Sequence, residues 1–355
     1  INDSQAKEFF KDEINNPQRT ISEKYNAFET LSKSNLLSDE EVFNSGIDFI
    51  RQNSGNGVSM GYAGVLMNEK FKKIPVEKQV NLLNDLRTEI PSEKSETIKQ
   101  ELKDAEEYIS RHSGLNEPQS FSLIEAISQN GHSDKAGEII NSVKDPQELR
   151  KVVSDAVEKV SPEKFASVIV NIKSNSLFSD VLEKLNDEKQ FDYIPFNVTK
   201  LKDEIGKFEP VLKIRKASFD SKSGENVKDQ HKILEENLNL YKQATSFIEH
   251  PENLPRGTDT ELFKIFAEEI KLSKIPEAIN NLDRLVTSSD SNVKPNGFEN
   301  LKKDWIKTIS SADKIDEVHG AELIKNAIIN EINHNNIPEA KKLFEQVKGI
   351  KNLPD

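Results

Sequence analysis

The sequence predicts an all-α protein, an irregular α-solenoid of helix-loop-helix repeats that is elongated rather than compact. Three observations carry that expectation. The first is a repeated unit. Ile337-Pro338-Glu339-Ala340, continued by Leu343, Phe344 and Val347, has a near twin sixty-two residues upstream in Ile275-Pro276-Glu277-Ala278. In each copy the proline suits a first helical turn, where the amide it lacks would have had no intrahelical partner. The glutamate favours the positive end of the helix dipole, and the alanine is small enough to let a neighbouring helix approach. Each copy follows an apolar-striped segment at a spacing that suits a tight turn, so each is predicted to be the second helix of a hairpin. The second observation is that apolar residues recur at helical spacing along the chain and nowhere alternate as a strand would require. The third is composition: 35% hydrophobic and 31% charged residues among 355. That is lean for a globule and suits an array with a high surface-to-volume ratio.

Taken in order, the segment to Glu13 reads as a polar helix ended by Asn15-Asn16-Pro17. Ile21, Tyr25, Phe28 and Leu31, then Val42, Phe43, Ile47 and Ile50, stripe the two helices of a first hairpin, with Ser38 as cap and acids behind it. Ser59 to Phe71 and Ile74 to Leu86 form a second. A long charged helix follows from Pro91 to His112, then a short hairpin of Phe121 to Gln129 and Ser133 to Val143. Pro146 to Val160 and Ser161 to Ile172 come next, the latter opened by the cap, proline and acid of Ser161-Pro162-Glu163. Leu177 to Leu185 is one short helix. Residues 187–228 are the least regular, and Ser218 to Gly224 reads as a loop or hinge. Helix resumes from Asp229 to Glu249. The two best-matched hairpins then occupy Thr260–Val286 and Ala321–Lys348, with a helix from Phe298 to Ser310 between them. Residues 1–210 are thus expected to form an N-terminal hairpin array, 211–229 an irregular loop or hinge, and 230–355 a C-terminal array continuous with the first. The measurable repeats run to roughly 30–36 residues, a range shared with tetratricopeptide repeats, but the tryptophan, glycine and tyrosine signature of that class is missing.

The totals exclude several functions. A net charge of −12 argues against nucleic acid or an anionic membrane as the main partner. Without cysteine there are no disulfides, thiolate zinc sites or cysteine nucleophiles. No run of about 18 apolar residues crosses a bilayer, so direct membrane insertion is not expected. The chain opens on Ile1 with no apolar leader, so any signal peptide is expected to have been removed ahead of it.

Candidate chemistry is sparse. Gly55-Asn56-Gly57-Val58-Ser59-Met60-Gly61 superficially resembles a dinucleotide-binding turn, but a helix precedes it and its third glycine falls one place late, so an inter-hairpin loop is the better account. His112, His132, His231, His250, His319 and His334 are scattered without ligand spacing, and no metal or cofactor is expected. The acids lie on polar helix faces beside lysines and read as solubilising ion pairs. No catalytic residue is assigned, and the chain is not expected to be an enzyme. Two short basic stretches remain as partner-contact candidates. Lys302 and Lys303 lie in Leu301-Lys302-Lys303-Asp304, which resembles a short actin-monomer-binding motif but sits inside a helix with Trp305 and Ile306 behind it. Lys213, Arg215 and Lys216, with Lys222 and Lys228, form the most basic part of an acidic chain, in its irregular region.

Absence of cysteine, an Asn/Lys/Ile-rich composition and uneven hairpins built on the two Ile-Pro-Glu-Ala units give the whole chain a family likeness. It resembles the N-terminal repeat domain of the rickettsial surface cell antigen that nucleates actin in a formin-like manner, an autotransporter passenger. The resemblance implies a crescent-shaped helical domain, exported to the bacterial cell surface and facing host cytoplasm. It implies actin as partner, with nucleation and elongation carried out together with a C-terminal domain of the same protein. Proline-rich and actin-monomer-binding segments of the kind the resemblance implies are not found in these 355 residues. The alternative is a surface adhesin or effector scaffold that captures another host protein.

Overall fold

The computed structural model describes residues 2–55, 59–129, 131–186, 196–288, 325, 328–329, 332 and 337–347. Among them every regular element is helical and none is a strand. The chain divides into two compact units, Ile1–Ile205 and Gly206–Asp355.

Unit 1 holds α1 (Asp3–Asn15), α2 (Ile21–Lys33), α3 (Asp39–Asn53), α4 (Ser59–Phe71), α5 (Val76–Glu89) and α6 (Glu96–His112). It continues with α7 (Pro118–Ser128), α8 (Ser133–Ser142), α9 (Pro146–Val160), α10 (Pro162–Val170), α11 (Asn175–Asn186) and α12 (Phe196–Gly206), whose last residue falls at the division between units. Local sequence dictates many of the starts. Asn2, Thr20 and Ser38 each cap a helix while Gln5, Glu23 and Glu41 reach back to the capping amide, which satisfies two otherwise orphaned donors per helix. Ser161 caps α10 through the Lys164 amide and alone separates it from α9. It turns the chain at φ 75°, a conformation in which a residue with a side chain is strained.

Helix pairing departs from the sequence reading. Tight pairs form between α1 and α2 and between α3 and α4, one helix out of step with the expected pairs of Ile21–Leu31 with Val42–Ile50 and of Ser59–Phe71 with Ile74–Leu86. The reason lies in the α3–α4 seam. Gly46 presents bare backbone to fully buried Met67, and the Phe43 and Phe71 rings meet at 5.3 Å. Close packing there outweighs the short connection between α4 and α5. The pairs α7 with α8 and α9 with α10 form as expected.

Polar rungs join helices two places apart. Lys78 of α5 pairs with Glu40 in the first turn of α3, and Arg51 Nη2 meets Glu89 Oε2 at 2.5 Å in their last turns, so α3 and α5 run the same way. Asn84 Nδ2 donates to Glu125 Oε1 at 2.8 Å, joining α5 to α7. Ser120 Oγ donates to Asp155 Oδ2 at 2.8 Å and Lys151 pairs with Glu117 at 3.1 Å, joining α7 to α9. Lys7 to Glu41, at 2.7 Å, ties α1 to α3. The bridged residues lie 34 to 41 apart in sequence. Between α8 and α11, Asp134 at the start of α8 accepts the Lys173 amide at 2.6 Å, just before α11. At the far end Lys184 of α11 donates to the carbonyls of Ile140, Asn141 and Val143 at 3.3, 2.5 and 2.9 Å. An ammonium there complements the negative end of the α8 dipole.

Unit 2 is built from α13 (Glu209–Phe219), α14 (Val227–Glu249), α15 (Thr260–Glu269), α16 (Ile275–Ser288) and α17 (Ile337–Val347). Its core gathers Val211, Ile214, Leu234, Ala244, Phe263, Phe266, Ile270, Ile275, Ile279 and Leu282. Two expectations are corrected here. The segment 211–229 is helical through Phe219, because Pro210 sits in the first turn of α13, where proline begins a helix instead of breaking one. Only residues 220–226 remain non-helical. Thr260–Val286 is not a hairpin: a π-helical turn, Ile270–Lys274, carries α15 directly into α16. In the later copy Ala340 is buried as expected, whereas Phe344 is 55% exposed and does not continue the buried face. The predicted helix Phe298–Ser310 lies outside the described residues.

Candidate functional site

Among the described residues the basic candidates do not converge. Lys213 and Lys216 lie on the exposed face of α13, each paired one turn away, with Glu209 at 2.7 Å and Asp220 at 3.9 Å. The Lys213 ammonium, by hydrogen bonding first and by charge second, holds the Glu209 carboxyl below its ordinary pKa. Lys222 meets Glu236 at 2.9 Å and Lys228 is exposed. Arg215 is corrected outright as a surface contact. It is fully buried, its guanidinium 4.8 Å from the centre of the Phe266 ring, so helical periodicity turns it inward between two outward-facing lysines. Its long apolar stem and its planar charge over an aromatic face suit that core position. Lys302 and Lys303 lie outside the described residues.

Other candidates resolve into local structure. Gly55 turns the chain after α3 at φ 91° and its amide donates to Glu101 Oε1 at 2.7 Å; Asn56, Gly57 and Val58 lie outside the described residues. His132 precedes α8, while His112 bonds the Tyr108 carbonyl at 2.7 Å. His231 and His250 face Glu235 and Glu252 at 3.7 and 3.2 Å. His319 and His334 lie outside the described residues. No group of three or more potential metal ligands occurs among the described residues, and no described helix is long and apolar enough to cross a membrane.

Two surface features in unit 2 had no counterpart in the sequence reading. A narrow cleft between α13, α14, the π-turn and α16 is lined by Asp220, Lys222, Asn237, Lys274 and Glu277. Lys274 and Glu277 pair one turn apart on its π-turn and α16 wall at 3.5 Å, and its two acids balance its two lysines. A shallow trough runs along the outer side of α15 and the π-turn, where Ile265, 55% exposed, and Leu272 are bordered by Glu261, Lys264, Glu268 and Glu269. The 4-3-4 spacing of Glu261, Ile265, Glu268 and Leu272 marks one helix face, but two apolar residues among acids are too weak a pattern to single out in a sequence.

Charge is divided unevenly between the units. Residues 1–205 hold 26 Lys and Arg against 36 Asp and Glu, a net −10, which leaves −2 of the total −12 for residues 206–355. Fold and surface together define a class: an all-helical chain in two units, the first cross-braced between helices at a recurring sequence interval. Beyond that class, no family model, curated protein or solved structure matches the chain.

Proposed function

We propose that the chain is an actin-assembly scaffold that works with a C-terminal domain of the same protein, on a bacterial surface facing host cytoplasm. The observation that carries the scaffold reading is the succession of polar rungs through α1, α3, α5, α7 and α9 at separations of 34 to 41 residues. Bracing at such an interval supports reading the chain as an irregular α-solenoid, a construction whose extended surface suits a large partner better than a small substrate. The choice of actin rests on the sequence resemblance. A scaffold accelerates nucleation by holding subunits in filament-like arrangement, which removes part of the entropic barrier to their first contact. Actin is acidic, so contact falls to apolar or charge-balanced surface, and unit 2, at −2, repels it less than unit 1, at −10. Pyrene-actin assembly in the presence of the chain, alone and with its C-terminal domain, tests the proposal. A shortened lag in either mixture supports it, and an unchanged lag in both contradicts it.

A further inference from the structure

We infer that residues 270–276 form a hinge at which the rod of α15, π-turn and α16 opens into two separately directed helices. The inference rests on a conflict between local sequence and tertiary packing. A residue before proline is sterically biased away from the right-handed helical region, yet Ile275 is held there at φ −66° and ψ −48°. Pro276 brings no amide to the helix, and in unbroken α geometry its ring would press on the carbonyl of Leu272. The chain meets this with a wider turn in which the Ile275 amide reaches back five residues to the Ile270 carbonyl. Such turns mark places where a helix carries an extra residue, and they recur at functional sites.

Packing on the inner side holds the rod closed. Ile270, Ile275, Ala278 and Ile279 are each at most 3% exposed, and α16 lies along α14 while α15 lies along α13. The outer side is open: Ile265 and Leu272 line the trough there and Ile265 is largely in solvent. Opening toward that side lets Ile275 relax into extended backbone and re-aims α16 relative to α15. It also reshapes the trough. The sequence around Ser273-Lys274-Ile275-Pro276-Glu277 has the form of a helix start, which is the state the broken rod would adopt.

The chain has no cysteine, so two spin labels can be placed cleanly at exposed positions, through Ile265→Cys and Arg284→Cys in the full chain. Nineteen residues of continuous helix place the two backbones about 28 Å apart. Pulsed electron resonance is expected to show that distance and a second, distinct one, with the second lost when Pro276→Ala is added. A single narrow distance near 28 Å in the parent, or two distances that persist with Pro276→Ala, overturns the hinge. Hydrogen exchange on the unlabelled chain gives an independent reading that needs no proline variant. Amides 271–275 are expected to exchange at least tenfold faster than those of 263–268 and 279–284, and equal protection overturns the hinge.

Discussion

Substituting Gly46 by alanine should change sign with the residue opposite it. A β-carbon at this position would lie 2.3 Å from both Cγ and Sδ of Met67 and 3.4 Å from its Cε. Met67 is fully buried, and Cγ is too near the backbone to swing aside by rotating the tip of the side chain. Alanine gains about 1 kcal/mol over glycine in a helix interior, while overpacking a close contact costs about 1–3 kcal/mol. The balance in the parent protein is a loss of about 0–2 kcal/mol. Met67→Ala removes all three crowded atoms and by itself should cost about 2–5 kcal/mol through the cavity it leaves. In that background Gly46→Ala keeps its propensity gain and partly fills the void, so it should stabilise by about 1 kcal/mol. The cycle therefore carries a coupling of about 1–3 kcal/mol. Native-state hydrogen exchange of α3 and α4 amides in all four proteins reads these differences locally, which avoids assuming that a two-unit chain unfolds in one step. Equal stabilisation by Gly46→Ala in both backgrounds would refute the reasoning and with it the account of why α3 pairs with α4.

Three further outcomes are expected. Lys184→Met strips the end of α8 of the ammonium shared by three carbonyls; burial already lowers the pKa of that ammonium, and the loss should be about 1–3 kcal/mol, seen as faster exchange in the last turn of α8. Glu41 has its carboxyl pKa held down to about 2, first by the hydrogen bond from Lys7 and then by that from the Ser38 amide. Because the folded value lies below the unfolded one, the stabilisation is complete above the ordinary carboxylate range and fades as pH falls from about 4.5 toward about 2. With the side chain 47% exposed, screening limits it to under about 1 kcal/mol. Carboxyl NMR should show the depressed midpoint and its rise in Lys7→Met; an ordinary midpoint in the parent would contradict the assignment. Ala340→Phe should cost about 1–3 kcal/mol at a position 4% exposed, while Phe344→Lys should stay within about 0.5 kcal/mol, and thermal unfolding distinguishes the two.

Helix existence was legible in this sequence because it is written in short-range signals. Ser38 with Glu41, Asp145 ahead of Pro146, and Ser161 ahead of Pro162 cap their helices as their types require. What escaped depends on longer-range choices. Proline at 210 and at 276 gives the same local signal, yet the first opens α13 and the second lies within a continuous rod, where buried Ile270, Ile275 and Ile279 outweigh the preference for a break. Pairing follows from a contact that helical periodicity does not reveal: the missing side chain at Gly46 lets α3 close on Met67 of α4, in place of the expected pair of α4 with α5. For the candidate site, the run Lys213, Arg215, Lys216 was legible as basic but not as a helix, so the inward turn of Arg215 could not be foreseen. The trough at Ile265 depends on the outer side of the π-turn, which a sequence predicting a hairpin there does not reveal.

Sedimentation velocity of the intact chain with actin held monomeric tests the central proposal most directly, since it asks for binding without requiring assembly. The proposal expects a boundary heavier than either component, whose amount grows with chain concentration and survives physiological salt. Two independent boundaries at every ratio would contradict it.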